Sequence, residues 1–218
     1  MSENKAAAEL FLTWATFWRP PDAEFWQSVS DGSVDTHISG FVTDAAYSDW
    51  TSSERFQSQL PSLSALQYFF VRCFIGIGKK SVLPVESVYK KWTEDTTTRL
   101  PIAGSTGYLM GDAALHARYL MDHYGLSVPP DYRMMPDHLT LLLELASYVL
   151  ENRTQEEAQL FLSQHLDWLG KFASALQETE VESELDQKAK NFYQLTLQLL
   201  QQTVDCQLMK YSNNTKTN

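Results

Sequence analysis

The sequence predicts an all-α fold, a single-domain irregular bundle of roughly eight to ten helices. Three observations carry that prediction. Apolar residues recur at spacings of three and four in several separate segments. No stretch of any length alternates apolar and polar as a half-buried strand does. One segment, LTLLLELASYVL, is apolar on most of its faces and belongs in the middle of a bundle. The 218 residues are enough for one sizeable core. Residues 1–210 read as the domain and residues 211–218 as a polar, frayed tail.

Residues 3–18 predict a first helix, with Ala7, Leu10, Phe11, Trp14, Phe17 and Trp18 inward. The segment RPPD ends it and opens a short second helix over residues 23–29. Small polar residues over 30–40 read as a loop, and residues 41–50 as helical. Residues 62–75 form a helix with Leu63, Leu66, Phe70, Cys73 and Phe74 on one stripe. A long connection over residues 76–106 follows, rich in glycine and proline. Tyr89 and Trp92 mark it as ordered, because disordered segments are poor in aromatics. A short helix is expected within it over residues 93–99.

Asp112 is placed to cap the next helix, which stops at Gly125. The proline-broken loop 129–136 then leads into the leucine-rich helix, through Met135-Pro136-Asp137-His138. Proline suits a first helical turn, and a carboxylate there faces the positive end of the helix dipole. Asp137 is thus expected either to cap this helix or to hold His138, with the pair presented at the surface. Thr154 and Glu157 have capping-box spacing. Phe161, Leu162, His165, Trp168, Leu169 and Phe172 form the inner face of the helix that follows, with a break near Gly170. A long last helix over residues 182–209 has Leu185, Ala189, Phe192, Leu199 and Val204 inward.

Composition excludes several classes. Net charge is −10, from 27 acidic and 17 basic residues, so there is no basic footprint for nucleic acid. An acidic surface suits solubility and also a basic peptide partner. The two cysteines, Cys73 and Cys206, match neither a disulfide framework nor a zinc finger. The first residues carry no secretory-signal pattern, and no apolar run reaches the ~20 residues of a membrane span. The protein reads as soluble and cytoplasmic.

Several groups bear on chemistry. GIGKKS at residues 76–81 falls short of a phosphate loop, because Cys73 stands where a glycine is required and a helix precedes it in place of a strand. Asp137 and His138 are not accompanied by a nucleophile signature, so helix capping and a partly buried imidazole outweigh a catalytic dyad. His116 and His123 share a helix face but lack the ligand spacing of a zinc site. Glu86, Tyr89 and Trp92 are either local packing or an acidic-aromatic surface for a basic, partly apolar peptide. The alternative function class is a metal-delivery or hydrolytic helical protein built on His116, His123 and His138.

An ordered series of motifs resembles the TorD/DmsD/NarJ-type redox-enzyme maturation chaperones, and most nearly their TorD/DmsD branch. The series is YFFVRCFIGIGK at 68–79, LPVESVY at 83–89, Met110-Gly111-Asp112, Met135-Pro136-Asp137-His138-Leu139, and HLDW at 165–168. Val85 replaces an aromatic residue or second proline, Gly170 replaces a frequent proline, and the first 60 residues carry no match. The resemblance implies an all-α cytoplasmic protein without enzymatic activity, cofactor or metal. It implies two partners, an apo molybdenum-containing reductase catalytic subunit and its twin-arginine signal peptide, held until cofactor insertion and before export. It also implies a peptide site at Glu86, Tyr89, Asp137 and His138, with Pro84, Ser87 and Gly111 shaping the walls. Monomer and domain-swapped dimer are both compatible with a helical fold of long loops.

Overall fold

A computed structural model describes residues 1–76 and 81–214. Among them are nine α-helices of eight residues or more and two single helical turns, with no named strand. The helical prediction therefore holds. The phosphate-loop candidate at 76–81 falls largely outside the described residues.

Helix α1 (Glu3–Thr16) begins at Ser2, whose hydroxyl accepts from Lys5 N–H. Ala7, Leu10, Phe11 and Trp14 are buried as the spacing picks, together with Ala6, Ala8 and Ala15, and Phe17 and Trp18 extend the buried stripe past its end. Helix α2 (Ala23–Ser30) is capped by Asp22, which accepts from Phe25 N–H. Helix α3 (Ser33–Asp44) occupies most of the segment expected to be a loop. Only Val34, Ile38 and Val42 are its apolar buried residues, a stripe too narrow to stand out from the surrounding polar side chains. Asp35 on the same helix is buried and accepts from Phe56 and Gln57 N–H at 2.9 and 3.0 Å. It thereby docks the single turn α4 (Phe56–Gln59).

Helix α5 (Leu63–Phe74) starts at Ser62, whose hydroxyl caps Ala65 N–H. The connection after it is ordered where described. Its one helical turn is α6 (Glu86–Tyr89), not residues 93–99, which turn on the carboxylate of Asp95. Helix α7 (Asp112–His123) ends before Gly125, which takes φ +71°. A 3-10 turn, Pro130–Tyr132, leads into α8 (Leu139–Asn152). Ten of the 14 residues of α8 are buried, so it is the central helix. It packs most extensively against α1.

Helix α9 (Gln155–His165) opens on the expected capping box of Thr154 and Glu157. Helix α10 (Leu169–Gln177) follows after a break at residues 166–168, just ahead of Gly170. Helix α11 (Glu184–Asn214) runs past the expected end at Met209, and Tyr211 is buried in the core. Leu185, expected inward, is exposed, whereas Ala189, Phe192, Leu199 and Val204 are buried.

An aromatic cluster joins the layers. Trp18 lies 5.2 Å from Phe172, and Tyr193 is stacked on Phe69 at 5.7 Å. Two polar tips around this core are satisfied across helices, whereas Trp18 Nε1 and Tyr193 Oη within it have no hydrogen-bond partner among the described residues. Trp14 Nε1–H donates to Thr203 Oγ1 at 2.9 Å, and Tyr47 Oη–H to Gln207 Oε1 at 2.7 Å. Cys73 and Cys206 are both free and buried. No helix among the described residues is long and apolar enough to cross a membrane.

Candidate functional site: a cleft floored by Glu86

The two central motif segments meet backbone to backbone. Val85 and His138 form an isolated antiparallel bridge. Leu139 N–H donates to the Pro84 carbonyl at 2.8 Å, and Glu86 N–H to the Asp137 carbonyl at 3.1 Å. Ser87 N–H then donates to Asp137 Oδ2 at 2.7 Å. Ser87 lies in the first turn of α6, where backbone N–H groups lack helical partners. The Asp137 carboxylate therefore serves the start of α6 rather than of α8.

His138 takes the other role. Its Nδ1 accepts from Thr140 N–H at 3.2 Å and caps α8. Both side chains are buried, Asp137 at 0% and His138 at 7% exposure. This corrects the expected surface acid–imidazole pair. Burial holds the His138 imidazole down to about 4, and burial pushes the Asp137 carboxyl up against the lowering effect of its Ser87 bonds. Asp137 and His138 thus lock the two segments together.

The surface they create is formed by Glu86. Its carboxylate is fully buried at the back of an open cleft of about 920 Å³. Oε1 pairs with Lys90 Nζ at 2.7 Å, one helical turn on. Oε2 lies 2.7 Å from His165 Nδ1, and His165 Nε2 lies 2.8 Å from His116 Nδ1. The two imidazoles stack with centroids 4.9 Å apart. Burial and then the neighbouring His165 lower the His116 imidazole below its ordinary range. Lys90 also pairs with Asp167 at 2.7 Å and donates to the Gln164 carbonyl.

Tyr89 lies flat on Trp168, with ring centroids 5.2 Å apart and planes 13° from parallel. Lys171 Nζ donates to the Tyr89 carbonyl at 3.0 Å, while Trp168 Nε1–H is held by the His165 carbonyl. Gly111 serves close approach. A Cβ there would sit 2.5 Å from the Trp92 carbonyl oxygen, which accepts from Asp112 N–H at 2.8 Å. Asp112 Oδ2 in turn accepts from Thr93 Oγ1–H and Glu94 N–H, rather than capping α7.

Pro84, Glu86, Ser87, Asp137 and His138 are therefore brought together, with Tyr89 beside them on Trp168 and Gly111 tied in through Trp92. Only Glu86 of this set lines the cleft. The remaining charged lining is mixed: Glu94, Asp112 and Asp167 against Lys90, Lys91 and Lys171. The expected acidic cradle is thus a mixed-charge cleft with exposed carboxylates at its rim. The pairing of His116 with His165 escaped sequence reasoning, since nothing local connects residues on separate helices. Lys90, four residues after Glu86, carried a legible helical ion-pair spacing. The histidines of the metal reading do not gather. His116 bonds His165, His123 stacks on Tyr119, and His138 caps α8. Among the described residues no group of three or more potential ligands is placed to hold a metal ion.

Residues 43–202 match the family described as nitrate reductase delta subunit. A relative described as chaperone protein TorD, from Actinobacillus succinogenes, is 30% identical over 132 residues, covering 60% of this chain and 57% of the relative. The chain thus aligns with less than two thirds of that relative's length. The motif series points to this same TorD/NarJ type. With nearly three quarters of its length inside the family match, the chain belongs to the nitrate reductase delta subunit family.

Proposed function

We propose that this protein is a cytoplasmic maturation chaperone for a molybdenum-cofactor oxidoreductase. In this reading it binds the apo catalytic subunit, its twin-arginine signal peptide, or both, until cofactor is inserted and before export. The observation that carries the reading is the docking of residues 84–87 onto residues 137–139, which sets Glu86 at the back of an open cleft. Glu94 and Asp167 at the rim have side chains 75% and 54% exposed; each pairs with a lysine at the surface, Lys91 and Lys90, and a guanidinium group would exchange for that lysine in a charge-assisted bond. Family membership and the similarity to a TorD chaperone support the same reading.

A binding role also fits the chemistry of the potential nucleophile and bases. His116 and His165 are engaged with each other and with Glu86, not with a hydroxyl or thiol. Cys73 is buried in the core, and burial pushes its thiol up to about 11, away from thiolate reactivity. The test is isothermal titration with twin-arginine peptides and apo catalytic subunits encoded beside this gene. Saturable binding of at least one is expected. Binding of none of them refutes the proposal.

A further inference from the structure

The cleft continues past its Asp167 rim. A second hollow of about 390 Å³ shares Ser163 and Asp167 with it and lies between α9, α10 and α11. A third, of about 440 Å³, shares Asp205 and Leu208 with the second. The three make one continuous track. Its wall on α11 is the stripe Gln201, Asp205, Leu208 and Ser212, spaced by three and four residues as one helix face requires. From Gln201 to Ser212 that stripe rises about 16 Å, the reach of about five residues of extended peptide.

The middle of the track is apolar. Leu162, Leu166, Leu169, Val204 and the half-buried Leu208 line it. Gly170 adds no side chain, and a Cβ there would meet only Gln201 Nε2, at 3.8 Å. Carboxylates stand at both ends. Asp167 marks the cleft end, where it pairs with Lys90. Asp205 and Asp49 mark the far end. Among the described residues no lysine, arginine or histidine lines the second or third hollow.

The geometry points to this track as the seat of a single linear peptide, an assignment that rests on the peptide-binding reading above. Its arginines lie in the cleft, an apolar segment follows over the leucine floor, and a further cation meets Asp205 and Asp49. Continuity and charge select this occupant. A chain that leaves the cleft along the track buries its apolar side chains, which one leaving into solvent does not. Carboxylates at both ends of an apolar floor favour cations at both ends of the segment laid over it. A second copy of this chain, with net charge −10, would bring further carboxylates instead.

The experiment is isothermal titration of three peptides into the full chain. The first carries an arginine pair, a leucine segment of about five residues to match the track, and a lysine. The second has serines in place of the leucines, and the third has glutamine in place of the lysine. Wild type is expected to bind the first at least about tenfold more tightly than the second and about threefold more tightly than the third. Gly170→Trp fills the apolar stretch from an exposed helical position and is expected to bring the first peptide down to the affinity of the second. Its melting temperature should not fall, because glycine is the poorer helix former. Gln201→Trp repeats the block from the opposite wall. Asp205→Lys is expected to reverse the preference for lysine over glutamine. If both tryptophan variants bind the first peptide as wild type does, the apolar segment lies elsewhere, and the inference is overturned while binding in the cleft stands. If they change the sedimentation of the chain and not its peptide affinity, the groove seats a second copy, and the inference is again overturned. If wild type binds no peptide, the inference fails. Binding of the apo catalytic subunit then keeps the functional reading, and its absence refutes that reading too.

Discussion

Replacing His138 by asparagine isolates the lock beneath the cleft. His138 caps α8 through Nδ1, so the ring must present a lone pair to Thr140 N–H. A proton on that nitrogen would set donor against donor and place a cation at the positive end of the helix dipole. Burial holds the imidazole near 4 in the folded chain, against 6.5 when unfolded. The unfolded chain therefore takes up a proton first as pH falls. The contribution of His138 is fully present above 6.5, is lost progressively below it, and flattens below about 4. The full span corresponds to about 3 kcal/mol, of which about 2 kcal/mol is gone by about pH 5. The substituted asparagine would retain a capping oxygen and carry no titrating group. Urea unfolding of both proteins at about pH 7.5 and about pH 5 gives the comparison, since all other titrating groups are shared. At the higher pH the variant should be somewhat less stable, having lost the ring packed 4.9 Å from Tyr132. Between the two pH values the stability difference should move by about 2 kcal/mol in favour of the variant. Parallel pH profiles would refute the buried, neutral cap.

Further outcomes follow from the same contacts. Asp137→Ala leaves the buried Ser87 N–H without its charged acceptor and should cost about 1.5–3 kcal/mol in denaturant unfolding, with Asp137→Asn recovering much of it. Gly111→Ala forces a methyl to 2.5 Å from a backbone carbonyl and should lower the melting temperature by several degrees. Gly104→Ala, where a Cβ meets nothing within 4 Å, is the matched control and should change little. Tyr89→Ala removes the ring stacked on Trp168 and should cost about 3 kcal/mol, read by chemical denaturation; a loss under about 1 kcal/mol would show that the stack contributes little.

The fold was legible where the chain repeats a local rule. The leucines of α8, the stripe on α5 and the capping box before α9 each announce a helix within a few residues. Helix α3 was not, because its polar composition resembles a loop and its stability comes from tertiary contacts. Among these is Asp35, which holds α4 from 21 residues away. The site was legible only in part. Sequence order named Glu86, Asp137 and His138 but could not say which side chains face inward. His138 takes the capping role expected of Asp137, because the strand-like bridge at Val85 brings α6, not α8, to the carboxylate. The link between His116 and His165 depends on the packing of α7 against α9, and no local spacing encodes it.

Photo-crosslinking from a twin-arginine peptide, with the reactive group beside the arginine pair, tests the central claim most directly. Mass spectrometry of the adducts should find them on the cleft rim, at Glu94, His116, Gln164 or Lys171. Adducts confined to the separate surface formed by Thr13, Arg19 and His37, which shares no residue with the cleft, would contradict it, because the arginines would then be bound away from the cleft that Glu86 floors.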